Sequence, residues 1–328
     1  LLRDAVDYEK IRKIFAMERA RSLRWLRDAM ELEKETFATV QCVPKKECCG
    51  CGACFNSCPV EAISMVEDEE GFLYPAVDEE TCIRCGKCRK ACPSLHPRYD
   101  RRTEPAVYAA YGDREHQLSG SSGGMFELLA RKIFSEQGIV CGAAFDEEQH
   151  LCQRVIDAEQ DLKPLLKSKY VQSDTKTTYR EVLQALKEGR KVLYAGCGCQ
   201  IAGLRSFLGR EYENLYVLDL LCHGGPSPKT LRKYLEEVHA GREIREICFR
   251  DKEYFGWTAH MTVRYRDGED YHMDRSKDLY YRAFLPVLSV RPHCQVCNYA
   301  RLPRQGDLTL GDFWGAEKYD PSFTEQNG

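Results

Sequence analysis

Two copies of one cysteine pattern constrain this chain more than any other feature. Each copy reads C-x2-C-x2-C-x3-C-P, and the cysteines are Cys48, Cys51, Cys54 and Cys58 in the first copy and Cys82, Cys85, Cys88 and Cys92 in the second. Three thiolates two residues apart surround one face of a cubane, and the fourth, before a proline that turns the chain away, reaches the other cluster. The spacing predicts one 4Fe–4S cluster on Cys48, Cys51, Cys54 and Cys92 (the first set). It predicts another on Cys82, Cys85, Cys88 and Cys58 (the second set).

Structural zinc is the alternative for such a pattern, because paired C-x2-C sequences also bind zinc tetrahedrally. Zinc makes no use of a third cysteine at the same spacing or of a fourth before proline, so iron–sulfur clusters are favoured. The residues between the two copies, Ile63–Val77, supply the short apolar and turn segments of a small module. The pattern is that of a bacterial ferredoxin, and two clusters in one module indicate electron transfer.

Composition limits the rest of the chain. With 328 residues, 43% of them hydrophobic, it can bury a full core and is predicted to hold more than one domain. A formal net charge of −3 gives no reason to expect nucleic acid or an anionic membrane as a partner. The longest apolar runs, such as Leu215–Leu221, are too short to span a bilayer. The chain has eighteen cysteines, and the spacing of those in the repeated patterns indicates metal clusters, which belong in a reducing compartment and predict a cytoplasmic protein.

Residues 1–39 are predicted to form an N-terminal helix. Apolar residues recur at spacings of three and four over Tyr8–Thr36, with no Gly or Pro between. The many basic residues predict a solvated face, with a partner-docking surface as the alternative. The segment, including Ser22-Leu23, resembles the Arg-rich C-terminal helix of polysaccharide pyruvyl transferases. That resemblance implies fusion to, or association with, such a domain.

The ferredoxin module is predicted at residues 40–97, and a charged linker, Arg98–Glu104, follows it. Beyond the linker, strand and helix patterns alternate, which favours an α/β fold with a mostly parallel sheet. The strands are predicted at Val107–Tyr111, Ile139–Phe145, Lys191–Ala195 and Tyr216–Leu221. The helices are predicted at Gly124–Glu136, Tyr179–Glu188, Gln200–Leu208 and Pro228–His239.

The pattern changes after these elements. Residues Ile244–Met273 predict antiparallel strands, with Asp267-Gly268 as a hairpin turn. A last helix is predicted at Leu279–Leu288 and a last strand at Asp307–Gly311. The fold class is therefore α/β with antiparallel additions, preceded by a small ferredoxin-like α+β module and the N-terminal helix.

Two loops of the α/β part have the composition of ligand-binding loops. Ser119–Gly124 follows a predicted strand and opens a helix, so its backbone N–H groups and hydroxyls suit a phosphate. Lys169–Ser173 combines a cation, an aromatic ring and an amide, a set that suits a flavin ring or a substrate anion. The alternatives are a plain flexible connection for the first loop and ordinary surface for the second.

Four further cysteines predict a third 4Fe–4S cluster. Cys294 and Cys297 form a C-x2-C pair, while Cys199 and Cys222 each lie at the predicted carboxyl end of a strand, where sites gather in parallel sheets. Cys197 competes with Cys199 for the first position. The alternative is that Cys199 and Cys222 are buried small hydrophobic residues. The four predicted ligands are called the third set.

From Tyr108 onward the chain resembles the coenzyme F420 hydrogenase/dehydrogenase beta-subunit family. The matching segments, in the family's order, are SSGG ending at Gly124, SKYVQS ending at Ser173, CQIAGL from Cys199, DLLCHGGPSP from Asp219, FRDK from Phe249, RPHCQVC ending at Cys297 and DLTLGDFWG ending at Gly315. The resemblance implies a flavin domain in two parts, residues 105–190 and residues 191–328, the latter with the third set. It also implies FAD contacts at Ser121, Ser122, Gly123, Gly124, Lys169, Tyr170, Gln172, Ser173 and Cys197. One departure is the turn GCGCQ in place of the usual GTPCQ, which puts Cys197 near the flavin or among the ligands.

The expected function is that of an iron–sulfur flavoprotein. It exchanges single electrons with a ferredoxin-type or other redox protein and two electrons with a small-molecule substrate at FAD, which in the family's archaeal members is coenzyme F420. Lys169 is the predicted catalytic cation, since a desolvated lysine favours the anionic reduced flavin or an anionic substrate. The alternatives are an electron-transfer or adaptor subunit without a substrate site and an iron–sulfur oxygen sensor.

Overall fold

The computed structural model describes residues 39–97 and 103–323. The predicted helix Tyr8–Thr36 and most of the predicted linker Arg98–Glu104 lie outside the described residues. Within the described ranges, no helix is both long enough and apolar enough to cross a membrane.

The N-terminal module is a small α+β unit. It comprises two 3-10 turns (Val40–Cys42 and Lys45–Glu47), two short helices, α1 (Ala53–Ser57) and α2 (Lys87–Lys90), and an antiparallel hairpin of β1 (Ile63–Glu67) and β2 (Leu73–Val77). Both helices begin after a glycine in the left-handed region, Gly52 with φ 71° and Gly86 with φ 69°. Because other residues are strained there, these glycines allow the chain to turn sharply between consecutive cysteines.

The second unit contains a five-stranded sheet, as the α/β pattern predicts. Its order is β10 (Leu308–Leu310), β6 (Leu215–Leu220), β5 (Val192–Cys197), β3 (Ile139–Phe145) and β4 (Leu151–Ile156). The first three pairings are parallel, and β4 is an antiparallel edge strand that the sequence analysis missed. The helices that connect or flank these strands are α3 (Arg114–Ser119), α4 (Met125–Ser135), α5 (Thr178–Lys187), α6 (Gly198–Leu208) and α7 (Pro228–Val238).

The predicted strand Val107–Tyr111 is wrong. These residues form no strand, and Val107 and Tyr108 are 86% and 85% exposed. Their apolar alternation has the period of a strand, but both edges of the central sheet are formed by other segments, β10 and β4. Alternation predicts a strand only where an edge is available to pair with it.

A second, antiparallel sheet contains β7 (Ile244–Cys248), β8 (His260–Tyr265) and β9 (Asp270–Asp274), in that order. A short helix α8 (Lys252–Phe255) lies between β7 and β8, and α9 (Leu279–Phe284) follows β9. This sheet packs with α7 and α9 around an aromatic core that includes Phe249, Tyr280 and Phe284. The predicted antiparallel strands and last helix are therefore present, although α9 is shorter than predicted.

The module and the α/β unit share one hydrophobic core. Cys49, Cys51 and Ala53 of the module belong to the same buried cluster as Tyr179 of α5 and Ile201 of α6. This arrangement differs from the expectation that a module behind a charged linker is docked on the sheet rather than fused with it. The cysteine loop is part of the interior.

Candidate iron–sulfur sites at the junction of the module and the sheet

The second set lies around one pocket. All four of its members, Cys58, Cys82, Cys85 and Cys88, line this pocket. The Cys58 sulfur also accepts the Ala62 backbone N–H at 3.2 Å. Cys58 belongs by sequence to the first copy, so its position here agrees with the expected exchange of the fourth cysteine between clusters.

The first set is deeper in the molecule. Cys51, Cys54 and Cys92 are buried, and Cys48 is half-buried. Burial raises the pKa of the Cys92 thiol to about 12 and that of Cys54 well above its usual range. A buried thiol with a raised pKa becomes a thiolate when a bound cation compensates the charge. The chemistry of this donor set therefore fits a metal cluster.

The third set is brought together from three separate segments. Cys199 lies in the first turn of α6, Cys222 follows β6, and Cys294 and Cys297 lie at the 3-10 helix Pro292–Val296 and directly after it. Three of the sulfurs accept backbone N–H groups at 3.4 Å: Cys222 from Gly224, Cys294 from Gly225 and Cys297 from Tyr299. Such bonds to sulfur are typical of cluster ligands.

The two cysteines of the GCGC turn point to different neighbours. The Cys197 thiol lies beside Cys222, and this neighbour lowers the pKa of the Cys222 thiol to about 7. Cys197 is also the N-cap of α6, and its backbone N–H donates to the Gln200 side-chain oxygen at 3.1 Å. The Cys199 thiol lies instead beside Cys49 of the module. Cys49 is thus a buried extra thiol between the first and third sets.

Arg291 fixes the module against the third set. It is 1% exposed, and its guanidinium donates to the carbonyl oxygens of Cys48 at 2.7 Å and Leu73 at 3.0 Å. It also lies 3.6 Å from the Cys48 sulfur. The same short segment, Arg291–Tyr299 (the junction segment), carries Cys294 and Cys297. At its far end the Tyr299 hydroxyl donates to the carbonyl of Pro93, beside Cys92, at 2.9 Å.

Side chains from the sheet unit bind the cysteine loop of the module as well. Gln172 donates to the Cys49 carbonyl and Thr175 to the Cys51 carbonyl, both at 3.1 Å. Arg180 of α5 donates to carbonyls at the end of α1, including that of Cys58 at 3.2 Å. The loop that carries the first set is therefore held by fixed donors from the other unit.

The SSGG loop is held by a lysine that the sequence analysis did not select. Lys252 is 8% exposed, and its ammonium group donates to the carbonyls of Gln117 and, at 2.8 Å, Ser122. Burial lowers its pKa to about 7. The Ser121 hydroxyl of this loop is buried and has no hydrogen-bond partner among the described residues. The loop therefore presents an unsatisfied hydroxyl beside a buried cation.

Two glycines of this loop meet protein atoms rather than an open face. A Cβ at Gly123 would lie 2.8 Å from the Ala110 oxygen. A Cβ at Gly124, which has φ 80°, would lie 2.5 Å from the His116 oxygen. The need for glycine here follows from the packing of the chain itself. It is not a sign of phosphate.

The residues of the SKYVQS segment that were predicted to contact FAD all make contacts within the protein. The Tyr170 ring stacks on Phe284, with centroids 5.1 Å apart, inside the aromatic core. The Gln172 amide donates to the Cys49 carbonyl of the module, and the Ser173 hydroxyl accepts a hydrogen bond from Gln200 at 2.9 Å. Lys169 donates to the carbonyls of Pro164 at 2.8 Å and Leu166 at 2.5 Å, and burial lowers its pKa to about 7.

Sequence reasoning missed Lys252, Arg291 and His293. Each lies within or beside a segment that was recognised for another reason, Lys252 in FRDK and the other two in RPHCQVC. The signal that could have found Arg291 and His293 is their position, a cation and an imidazole next to the C-x2-C pair. Nothing local indicated that the Lys252 side chain reaches Ser122, 130 positions away.

Comparisons with known families agree with this architecture. Residues 189–325 match the family model for the C-terminal part of the beta subunit of coenzyme F420 hydrogenase/dehydrogenase. Residues 47–95 and residues 74–142 each match a 4Fe-4S dicluster domain. The chain is therefore similar to this beta-subunit family in its C-terminal part and to 4Fe-4S dicluster ferredoxin domains in its N-terminal part.

Thirteen solved chains match this one, among them a chain of the F420-reducing [NiFe] hydrogenase complex from Methanosarcina barkeri, derivatised with xenon, with 17% sequence identity and a TM-score of 0.39. The match covers 60% of the present chain and 66% of that hydrogenase chain, just under two thirds of its length. No curated protein matches the present sequence.

Proposed function

We propose that this protein is a flavin-containing iron–sulfur oxidoreductase. It passes single electrons between a redox protein and the three cysteine sets, and exchanges two electrons with a small-molecule substrate at FAD. The observation that carries the proposal is the junction segment, because one run of nine residues touches the first set and supplies two members of the third. A shared segment of this kind supports electron transfer between neighbouring clusters.

The proposed ligands of the third cluster are Cys199, Cys222, Cys294 and Cys297. The backbone N–H bonds to the Cys222, Cys294 and Cys297 sulfurs support three of these positions. Cys197 is the alternative to Cys199 for the remaining position, because both lie at the turn that opens α6.

The proposed FAD site is the SSGG loop. When bound, FAD accepts a hydride at N5 and releases its electrons one at a time. In this chain the unpartnered Ser121 hydroxyl suits a phosphate oxygen, and the Lys252 cation behind Ser122 favours the negative charge of a phosphate. Ser122, Gly123 and Gly124 remain proposed backbone contacts of this loop. Of the other predicted contacts, Tyr170, Gln172 and Ser173 have protein partners already, so they are the weakest part of the proposal.

Lys169 is the proposed cation for a reduced flavin or an anionic substrate. Both of its hydrogen bonds go to carbonyl oxygens, so no carboxylate is hydrogen-bonded to its charge. A pKa of about 7 also lets it give up a proton near neutral pH. Coenzyme F420 is the substrate that the family name suggests, and the cytoplasm is the proposed location because exposed clusters need reducing surroundings.

A second candidate function is supported by one observation. The protein partners of Tyr170, Gln172 and Ser173 make an electron-transfer subunit without flavin or substrate a specific alternative. Such a protein keeps all three clusters and needs neither loop for a ligand.

Cofactor analysis of anaerobically purified protein separates these functions. Three 4Fe–4S clusters and FAD predict about twelve iron atoms and one flavin per chain, and Cys294→Ser is expected to remove about a third of the iron while the flavin stays. Cys152→Ser, a buried cysteine outside all three sets, is the matched control and is expected to keep the iron. An unchanged iron count in Cys294→Ser contradicts the third cluster. Twelve iron atoms without acid-released flavin support the electron-transfer alternative instead.

A further inference from the structure

His293 is a buried polar side chain without a protein partner. It lies in the 3-10 helix Pro292–Val296 and is 3% exposed. Neither ring nitrogen has a hydrogen-bond partner among the described residues. Every protonation state of imidazole carries at least one N–H donor, and leaving such a donor unsatisfied in the interior costs about 1–3 kcal/mol. A folded protein rarely keeps such a side chain buried unless some group accepts a hydrogen bond from its N–H.

The surroundings of His293 consist of cysteines and an aromatic ring. It directly precedes Cys294 of the third set and lies near the buried Cys49 thiol beside the first set. The Tyr299 ring lies on another side, with ring centroids 6.3 Å apart. The acceptors expected in such a place are sulfur atoms, since cluster sulfides and thiolates accept N–H bonds from the protein.

We propose that a ring N–H of His293 donates a hydrogen bond to a sulfur atom of an iron–sulfur cluster at this junction, on either the first or the third set. The inference rests on the proposed function, because it requires the clusters to be bound. A hydrogen bond to sulfur stabilises the more negative, reduced form of a cluster and so raises its reduction potential. In the buried junction this effect is stronger than in water. His293 is thus a positioning residue that favours the arrival of an electron at the centre of the chain.

The test is a redox titration followed by electron paramagnetic resonance, on protein with all clusters in place. His293→Leu is expected to lower the midpoint potential of one junction cluster, while the iron count and the second-set potential stay the same. His293→Gln keeps an N–H donor and is expected to restore most of the potential. His96→Leu, an exposed histidine of the module, is the matched control. Equal potentials in wild type and His293→Leu overturn the inference.

A measurement on the unaltered residue covers the case in which His293→Leu fails to assemble. Protein labelled with 15N at histidine only is expected to show nitrogen coupling to a reduced junction cluster in pulsed resonance spectra, and His293→Gln is expected to abolish that coupling. Spectra without histidine coupling overturn the inference. The iron count separates this failure from failure of the proposed function: eight iron atoms contradict the third cluster, whereas twelve iron atoms without coupling contradict only the role of His293.

Discussion

Lys252 shows how one side chain in this fold combines a structural contact with a shifted charge. It is almost fully buried, donates to the carbonyls of Gln117 and Ser122, and lies 3.5 Å from the centroid of the Trp257 ring. Burial lowers its pKa from 10.5 to about 7, and the nearby Arg250 adds to the shift. The charge that holds the SSGG loop therefore titrates near neutral pH.

The sign of the pH effect on stability follows from this shift. Between pH 7 and pH 10.5 the unfolded chain binds the Lys252 proton more tightly than the folded chain. Stability therefore rises with pH in this window, on the order of 1 kcal/mol per pH unit. Relative to Lys252→Met, the wild type is expected to gain roughly 2 kcal/mol between pH 7 and pH 9. The measurement is the thermal unfolding midpoint of both proteins at the two pH values.

An exposed lysine gives the matched control for this prediction. Lys277→Met is expected to follow the wild type at both pH values, because Lys277 lies at the surface. The prediction is contradicted if the unfolding midpoints of wild type and Lys252→Met change equally between the two pH values. Equal changes require a lysine that stays charged throughout the range, with its carbonyl and ring contacts outweighing the cost of burial.

At the scale of the element, α6 is the helix that joins the two units. It begins at the GCGC turn with Cys197 as its N-cap, and its buried Gly203 faces the cysteine loop of the module. A Cβ at Gly203 would lie 2.8 Å from both the Cβ and the sulfur of Cys51 and 2.9 Å from the Tyr179 hydroxyl. The close approach of the helix to the first set depends on this glycine.

Gly203→Ala is expected to destabilise the junction. Alanine favours a helix over glycine by about 1 kcal/mol, whereas overpacking a close contact costs about 1–3 kcal/mol and here also displaces a cluster ligand. We expect a lower unfolding midpoint and loss of about a third of the iron. Gly225→Ala is the matched control, since its nearest contact, Gln172, would lie at an ordinary 3.4 Å. A Gly203→Ala protein with full iron and an unchanged midpoint contradicts the described contact.

The elements also indicate what the sequence predicts and what it does not. The spacing of cysteines and the continuous apolar run of β3 are local signals, and both the module and the central strands were predicted from them. The edge strand β4 was missed, and Val107–Tyr111 was wrongly predicted as a strand, because pairing partners far away in the chain decide both cases.

In the candidate site, too, partners far away in the chain decide what a residue does. Gln172 has the composition of a flavin contact, yet its amide donates to Cys49, 123 positions away. Arg291 reaches Cys48 across 243 positions. Contacts of this length leave no periodic pattern in a single sequence. The two ferredoxin-type cysteine sets could be proposed from the sequence because their spacing is local, whereas the side chains that join the units could not.

At the scale of the whole molecule, the first cysteine set is connected to both of the others. Cys85 of the second set and Cys222 of the third set are exposed, whereas Cys51, Cys54 and Cys92 of the first set are buried. The first and second sets share the module, and the junction segment links the first set to the third. The order of these connections is therefore second, first and third. A redox protein is expected to exchange electrons at the second set.

This order makes a prediction about which set each variant isolates. Replacing one ligand interrupts the sequence of sets at that point, because electron transfer slows steeply when an intermediate site is lost. Cys85→Ala is expected to slow reduction of the first and third sets by a reduced ferredoxin at least tenfold, on the order of 1.4 kcal/mol of activation free energy. Titanium(III) citrate, a small reductant that is not confined to one face, is expected to reduce both sets as in the wild type.

Cys54→Ala is the matched variant of the first set. In this variant we expect ferredoxin still to reduce the second set while the third set stays oxidised. Rapid-freeze paramagnetic resonance follows each set in the same sample. Reduction of the third set at the wild-type rate in Cys54→Ala contradicts the order, because it requires an electron entry that bypasses the buried first set.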